Sequence, residues 1–176
     1  MIKLVVKKCK DWVPYKLTAI LVVAIIVFIG TIPTLRNVAI DSISAIYGSV
    51  LVTLANRDRV SSNVAELKVS PILEKAAQLK ADDMASKGYF AHNTPDGKTP
   101  WYWFEKAGYN YIYAGENLAV NFFESEDVET AWMNSPTHRS NIINSKFTEV
   151  GIATSTGIYK GREAIFVVQM FGTPAR

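Results

Sequence analysis

The chain has 176 residues, 19 lysines and arginines against 16 aspartates and glutamates, and a single cysteine. That length suits one domain with an appendage. The basic excess lies at the start, since residues 1–35 hold five lysines and one aspartate while the remainder carries 14 basic and 15 acidic side chains. The main body therefore has no charge surplus to draw phosphate backbones, and nucleic acid is excluded as an expected partner.

Residues 1–16 form a short basic segment containing Cys9. Residues 17–35 follow as an uncharged run of 19, bracketed by Lys16 and Arg36. As a helix this run would extend about 28 Å, close to the ~30 Å hydrocarbon core of a bilayer. No small-x-small cleavage site follows it, so it reads as an uncleaved transmembrane anchor. The lysines place its N-terminal end in the cytoplasm and the bulk of the chain outside. The region after the run contains no cysteine, which rules out a disulfide, a thiolate metal site or a cysteine nucleophile there. Residues 36–46 read as a connector, and 47–176 as the extracytoplasmic domain.

Within that domain, residues 42–56 read as a first helix. Ser70-Pro71, Thr99-Pro100 and Ser135-Pro136 each put a hydroxyl at an expected N-cap and proline at the first helical position. After the first pair, Leu73, Ala77, Ala81 and Met84 keep helical spacing up to Gly88. "WYWFEKA" after the second predicts a short helix closed by Gly108, and "NTPDG" a turn with Gly97 at positive φ. Ser125 is expected to cap a helix over about 125–134, with Glu126 and Asp127 at the positive end of its dipole. Strand signals fall at 109–120, 149–154 and 163–172, the last two as a hairpin turning at Gly157 and Gly161. Tyr109, Tyr111 and Tyr113 would then share one strand face. In "WYWF", consecutive side chains point in different directions, so core packing is expected rather than a stacking platform. Helices first and strands later predict an α+β fold with an antiparallel sheet covered by helices.

Four segments carry chemistry or shape in order: "GYFAHNTPDG", "AGENLAV", "AWMNSPTHRSNI" and "FTEVGIAT". Together they resemble the CAP superfamily (SCP domain) of cysteine-rich secretory proteins, antigen 5 and plant pathogenesis-related class 1 proteins, in its cysteine-free bacterial branch. The resemblance covers about residues 47–173. It implies an α-β-α sandwich with a surface cleft in which two histidines, often with two acids, bind a divalent metal such as zinc. The matching residues are His92, His138 and Glu116, whereas the second acid would fall near Ser135, where this chain has no carboxylate.

Imidazole is the commonest metal ligand near neutral pH, and His138, third in its helix, is kept uncharged by the helix's positive end. Glu116 is a candidate third ligand or, alternatively, a candidate catalytic base acting on bound water. A metal-free Ser135–His138–Glu116 triad lacks the strained nucleophile elbow such chemistry uses. The expectation is therefore a binding module rather than an enzyme, with a cell-envelope component, a secreted protein or a lipid as partner. The alternative is a metal-assisted hydrolase of peptide or cell-wall polymer. Its location would be the cell membrane, single pass, with the domain outside. Protease added to intact cells should therefore digest the domain and spare residues 1–16, detected with tags at either end; a fully protected domain would reject this orientation.

Overall fold

The computed structural model describes residues 48–175. The expected basic segment, anchor and connector thus lie outside the described residues. Among the described residues no helix is long and apolar enough to cross a membrane.

Five helices and four strands are described. α1 covers 48–61, followed by β1 (Lys68–Val69), α2 (Pro71–Lys87), α3 (Trp101–Ala107) and β2 (Tyr111–Val120). The chain continues with α4 (Ser125–Asn134), α5 (Pro136–Ile142), β3 (Glu149–Tyr159) and β4 (Arg162–Pro174). The sheet order is β1-β3-β4-β2. β2–β4 and β3–β4 are antiparallel, but β1 joins β3 in parallel. The fold is α+β as expected, while the sheet is mixed rather than antiparallel. Two residues of β1 carry too little pattern to disclose a parallel pairing.

Alternation along the strands divides the core in two. Leu118, Ala153, Phe166, Val168 and Met170 face one way and pack with Leu73, Ala77, Ala81, Met84, Trp103 and Phe104 from α2 and α3. Ala119, Ile152, Val167 and Phe171 face the other way and pack with Leu51 and Ala55 of α1, Val128 and Trp132 of α4, and Ile142 of α5. Helices therefore cover both faces of the sheet. Trp103 and Phe104 are buried, so the core reading of "WYWF" holds for its second half; Trp101 stays 38% exposed.

α2 lies almost on the backbone of β3. A Cβ at Gly151 would stand 2.1 Å from the Glu74 amide nitrogen, and one at Gly157 would stand 2.4 Å from the Ala85 carbonyl oxygen. Gly157 is therefore a packing glycine inside β3, and the hairpin turns at Lys160–Gly161, both at positive φ. The alanines of α2 are the matching half of this close approach.

Other local expectations meet a mixed outcome. Gly88 and Gly108 end their helices in the left-handed conformation, and Gly97 has φ 85°. Ser70 and Ser135 occupy N-cap positions ahead of proline, but neither makes a side-chain cap bond. Ser125 is the first residue of α4, with Glu124 at the N-cap, and Pro100 rather than Thr99 precedes α3. The tyrosine alternation also breaks, because the β2–β4 register shifts between Tyr111 and Tyr113. Tyr111 packs against Phe104, whereas Tyr113 lies under the Lys146 ammonium.

Gly151→Ala should cost about 2–3 kcal/mol, because backbone atoms of α2 would have to move. Gly97→Ala, which meets nothing within 4 Å, should cost only about 1 kcal/mol through its positive φ. Denaturant unfolding of both variants checks the ranking.

Candidate functional site

Glu116 lies in the buried middle of β2, where residues 115–119 are all inaccessible. Even positions of β2 face α2 and α3, so its carboxyl points into that layer. There Oε1 meets His92 Nδ1 at 2.7 Å. The side chain of Glu116 is 2% exposed and that of His92 56% exposed. This pairing fixes the tautomer: Nδ1–H donates to the carboxylate, which leaves Nε2 with its lone pair.

Lys80 completes the arrangement. It projects from the apolar face of α2, fully buried, and its Nζ donates to the carbonyls of Ala91 and His92, both at 2.8 Å, and to Tyr89 Oη at 3.3 Å. Tyr89 Oη in turn donates a hydrogen bond to Asp83 Oδ2 at 2.8 Å. All three ammonium hydrogens are thereby used, and the loop carrying His92 is held from beneath. The sequence carried a signal for this residue that the periodicity reading left out. Position 80 belongs to the stripe Leu73, Ala77, Ala81, Met84, and a lysine on such a stripe must find carbonyls or a carboxylate.

Asn117 turns to the opposite face. Its Nδ2 donates to the His138 carbonyl at 3.2 Å and to Gln169 Oε1 at 3.0 Å. Asn141 Nδ2 donates to Asn117 Oδ1 at 2.8 Å and to the Glu116 carbonyl at 3.1 Å. α5 is thus tied to β2 through its first and last turns. His138 is half-buried as the third residue of α5. A positive charge on His92 disfavours one on His138. Gly115 is required by the ring of Phe147, since a Cβ would stand 2.7 Å from it; the neighbour is a side chain, not a ligand or a second backbone.

The electrostatics follow from burial and pairing. Burial pushes the Glu116 carboxyl up, opposed by the hydrogen bond from His92 and the field of Lys80. The bond to Glu116 holds the His92 imidazole above its ordinary value, with burial working against it. Burial first, and then His92, holds His138 below its ordinary value, so it stays neutral at physiological pH. Among the described residues no three His, Cys, Asp or Glu side chains gather as a ready cation cage. Ser135, where the second acid would fall, places its hydroxyl 3.2 Å from that of Thr137.

This fold and site define a class. The profile of CAP, the cysteine-rich secretory protein family, matches residues 52–171, and the chain belongs to that family. It is 39% identical over 112 residues, 64% of this chain and 43% of the relative, to the uncharacterized protein YkwD of Bacillus subtilis. It is 27% identical over 109 residues, 62% of this chain and 32% of the relative, to the uncharacterized membrane protein YlbC of the same species. The chain thus spans under half the length of both curated relatives. Among solved structures, an extracellular SCP-domain protein from Bacillus anthracis matches with TM-score 0.64 and 26% identity, over 74% of this chain and 41% of that one.

NMR titration should place the His92 midpoint above 6.5 and that of His138 below it, with Glu116→Gln bringing His92 down. Because the folded value of His92 is raised, the stability it contributes is present at pH values below about 6.5, once Glu116 is ionised. That contribution is lost as pH climbs through the raised value.

Proposed function

We propose that this protein is a membrane-anchored, extracytoplasmic CAP-domain binding module. In this reading the His92–Glu116–His138 cleft engages a cell-envelope component, with a secreted protein or a lipid as other partner classes, assisted by a divalent cation such as zinc. The observation that carries the cleft reading is the buried carboxylate paired with an exposed imidazole. Glu116 gains nothing structural by being desolvated unless it orients His92, and orienting His92 presents Nε2 outward. The donor set fits a loosely held cation: two imidazoles, one fixed in tautomer and one kept neutral, with Glu116 supporting a ligand. When bound, such a cation would supply a Lewis-acidic attachment point for an oxygen-bearing group of the partner. The chain's own residues bind and orient; Glu116 has Oε1 engaged by His92 and Oε2 buried without a partner, so neither oxygen faces solvent as a free base, which favours binding over hydrolysis of peptide or cell-wall polymer. The anchor rests on the uncharged run at 17–35 and its flanking lysines. One relative named as a membrane protein and one solved relative described as extracellular support this reading.

Zinc should raise the melting temperature of the protein in proportion to ligand binding, and the effect should fade as pH falls through the raised midpoint of His92, above 6.5, where its imidazole protonates. His92→Ala and His138→Ala should each remove most of the shift, and Glu116→Gln should weaken zinc affinity by roughly 10–100-fold, the usual worth of a supporting partner. Undiminished zinc stabilisation in both histidine variants would put the metal elsewhere. Reproducible wild-type turnover of a peptide or wall polymer would overturn the binding reading.

A further inference from the structure

The hairpin end of the sheet carries a cavity of its own. Its volume is about 510 Å³, and it is lined by Asn121, Phe123, Tyr159, Lys160, Arg162 and Glu163. That size falls within the ~300–1,000 Å³ of small-molecule sites. It is not the cleft. Glu116 stands opposite Met170, and Tyr159 opposite Arg162, so roughly 26 Å of β4 separates the two registers. Local structure explains how the lining residues meet. β2 ends with a bond from the Asn121 N–H to the Ile165 carbonyl at 3.2 Å. Asn121 then takes the left-handed conformation, φ 67°, and turns the chain out of the strand ahead of Phe123. The β3–β4 turn at Lys160–Gly161 supplies the other four residues. Tyr159 is held by edge-on contacts to Phe90 and Phe166, with the Lys160 ammonium 5.1 Å from its ring. Phe123, in contrast, stands 76% exposed. Lys160, Arg162 and Glu163 are exposed too, and among the described residues none of the three is ion-paired.

Each lining group selects one property of a ligand. Two cations without a partner favour an anion, and a guanidinium takes a carboxylate through two parallel hydrogen bonds. A flat aromatic ring in water favours a flat apolar face. The Asn121 amide donates and accepts, and the Glu163 carboxylate accepts from a hydroxyl or N–H. A sugar ring that bears a carboxylate offers all of these on one rigid frame, with C–H bonds on its face and polar groups on its edge. A bilayer surface fits worse. Glu124, Glu126 and Asp127 follow Phe123 and are exposed, so a broad field of anionic headgroups is repelled where a single carboxylate can face Lys160 and Arg162. We propose that this cavity binds a carboxylate-bearing sugar of an envelope polymer. Arg162 and Lys160 hold the carboxylate, Phe123 stacks on the ring, and Asn121 and Glu163 bond its hydroxyl or acetamido groups. The inference rests on the envelope placement of the domain, but on neither the cleft nor a cation.

The test titrates the full-length protein in a neutral detergent with N-acetylmuramic acid, glucuronic acid and N-acetylglucosamine, followed by saturation-transfer NMR. Both acids should bind saturably, and the tighter one identifies the type of polymer. N-acetylglucosamine lacks the carboxylate and should bind about 10-fold more weakly. Arg162→Gln should weaken both acids by roughly 10-fold and leave N-acetylglucosamine unchanged. Phe123→Ala should weaken all three sugars by roughly 3–10-fold. Both side chains are exposed, so the melting temperatures of these variants should stay within about 2 °C of wild type. Equal binding of the three sugars, or undiminished binding in both variants, would overturn the site. So would the absence of saturable binding by either acid; Arg162-dependent retention on phosphatidylglycerol vesicles would then make the patch a lipid contact. Zinc-dependent stabilisation is measured on the same preparation. A zinc response without sugar binding rejects this site alone, and sugar binding without a zinc response rejects the cation at the cleft alone.

Discussion

The demand on which this architecture turns is that one strand must serve two layers within three consecutive residues. Gly115 has to admit the Phe147 ring, Glu116 has to reach His92 under α2 and α3, and Asn117 has to bind α5 on the far face. The two-residue period of a strand makes this possible, because neighbours point to opposite faces. β2 lies at one end of the sheet, so its outward carbonyls also need partners away from any strand. They find them in side chains: Asn141 reaches the Glu116 carbonyl and Trp132 Nε1 the Leu118 carbonyl, at 3.0 Å for the latter. The same strand therefore positions Glu116 and locks α4 and α5, the second of which carries His138.

Buried cations do much of the remaining positioning. Lys80 and Arg59 are both almost wholly inaccessible, and burial lowers the pKa of each. Neither relies on a directly bonded carboxylate. Each instead gathers carbonyl oxygens from a segment that has no regular partner: Lys80 from the loop before His92, and Arg59 from the end of α5 and the turn leading to β3. A buried donor group satisfied by several carbonyls is specific in geometry, since losing any one strands a charge in the core. The loop of His92 is exposed, and Lys80 ties its carbonyls to α2.

Acids are handled differently on the two faces. Glu116 is partnered by a histidine and sits in the field of Lys80, so its charge has local support. Glu129 is buried with neither carboxyl oxygen hydrogen-bonded, and burial pushes its carboxyl up. The first arrangement suits a site that presents an imidazole to solvent near neutral pH.

The sequence by itself determined the elements with strong local chemistry. Glycines at helix ends, proline at first helical positions, the turn at Gly97 and the hairpin strands all act through a few neighbouring residues, and each stands close to where it was expected. His92, Glu116 and His138 are singled out by the motifs in which they occur, and the structure pairs His92 with Glu116 at 2.7 Å. Only the tertiary structure decided the relations between distant segments. The parallel pairing of β1, the role of Gly157 against Ala85, the break in the tyrosine alternation and the partnership of Lys80 with the His92 loop all depend on which surfaces meet. No local pattern contains that information, because a glycine, a lysine or a glutamate on a strand or helix declares its own preferences but not the identity of the atoms packed against it.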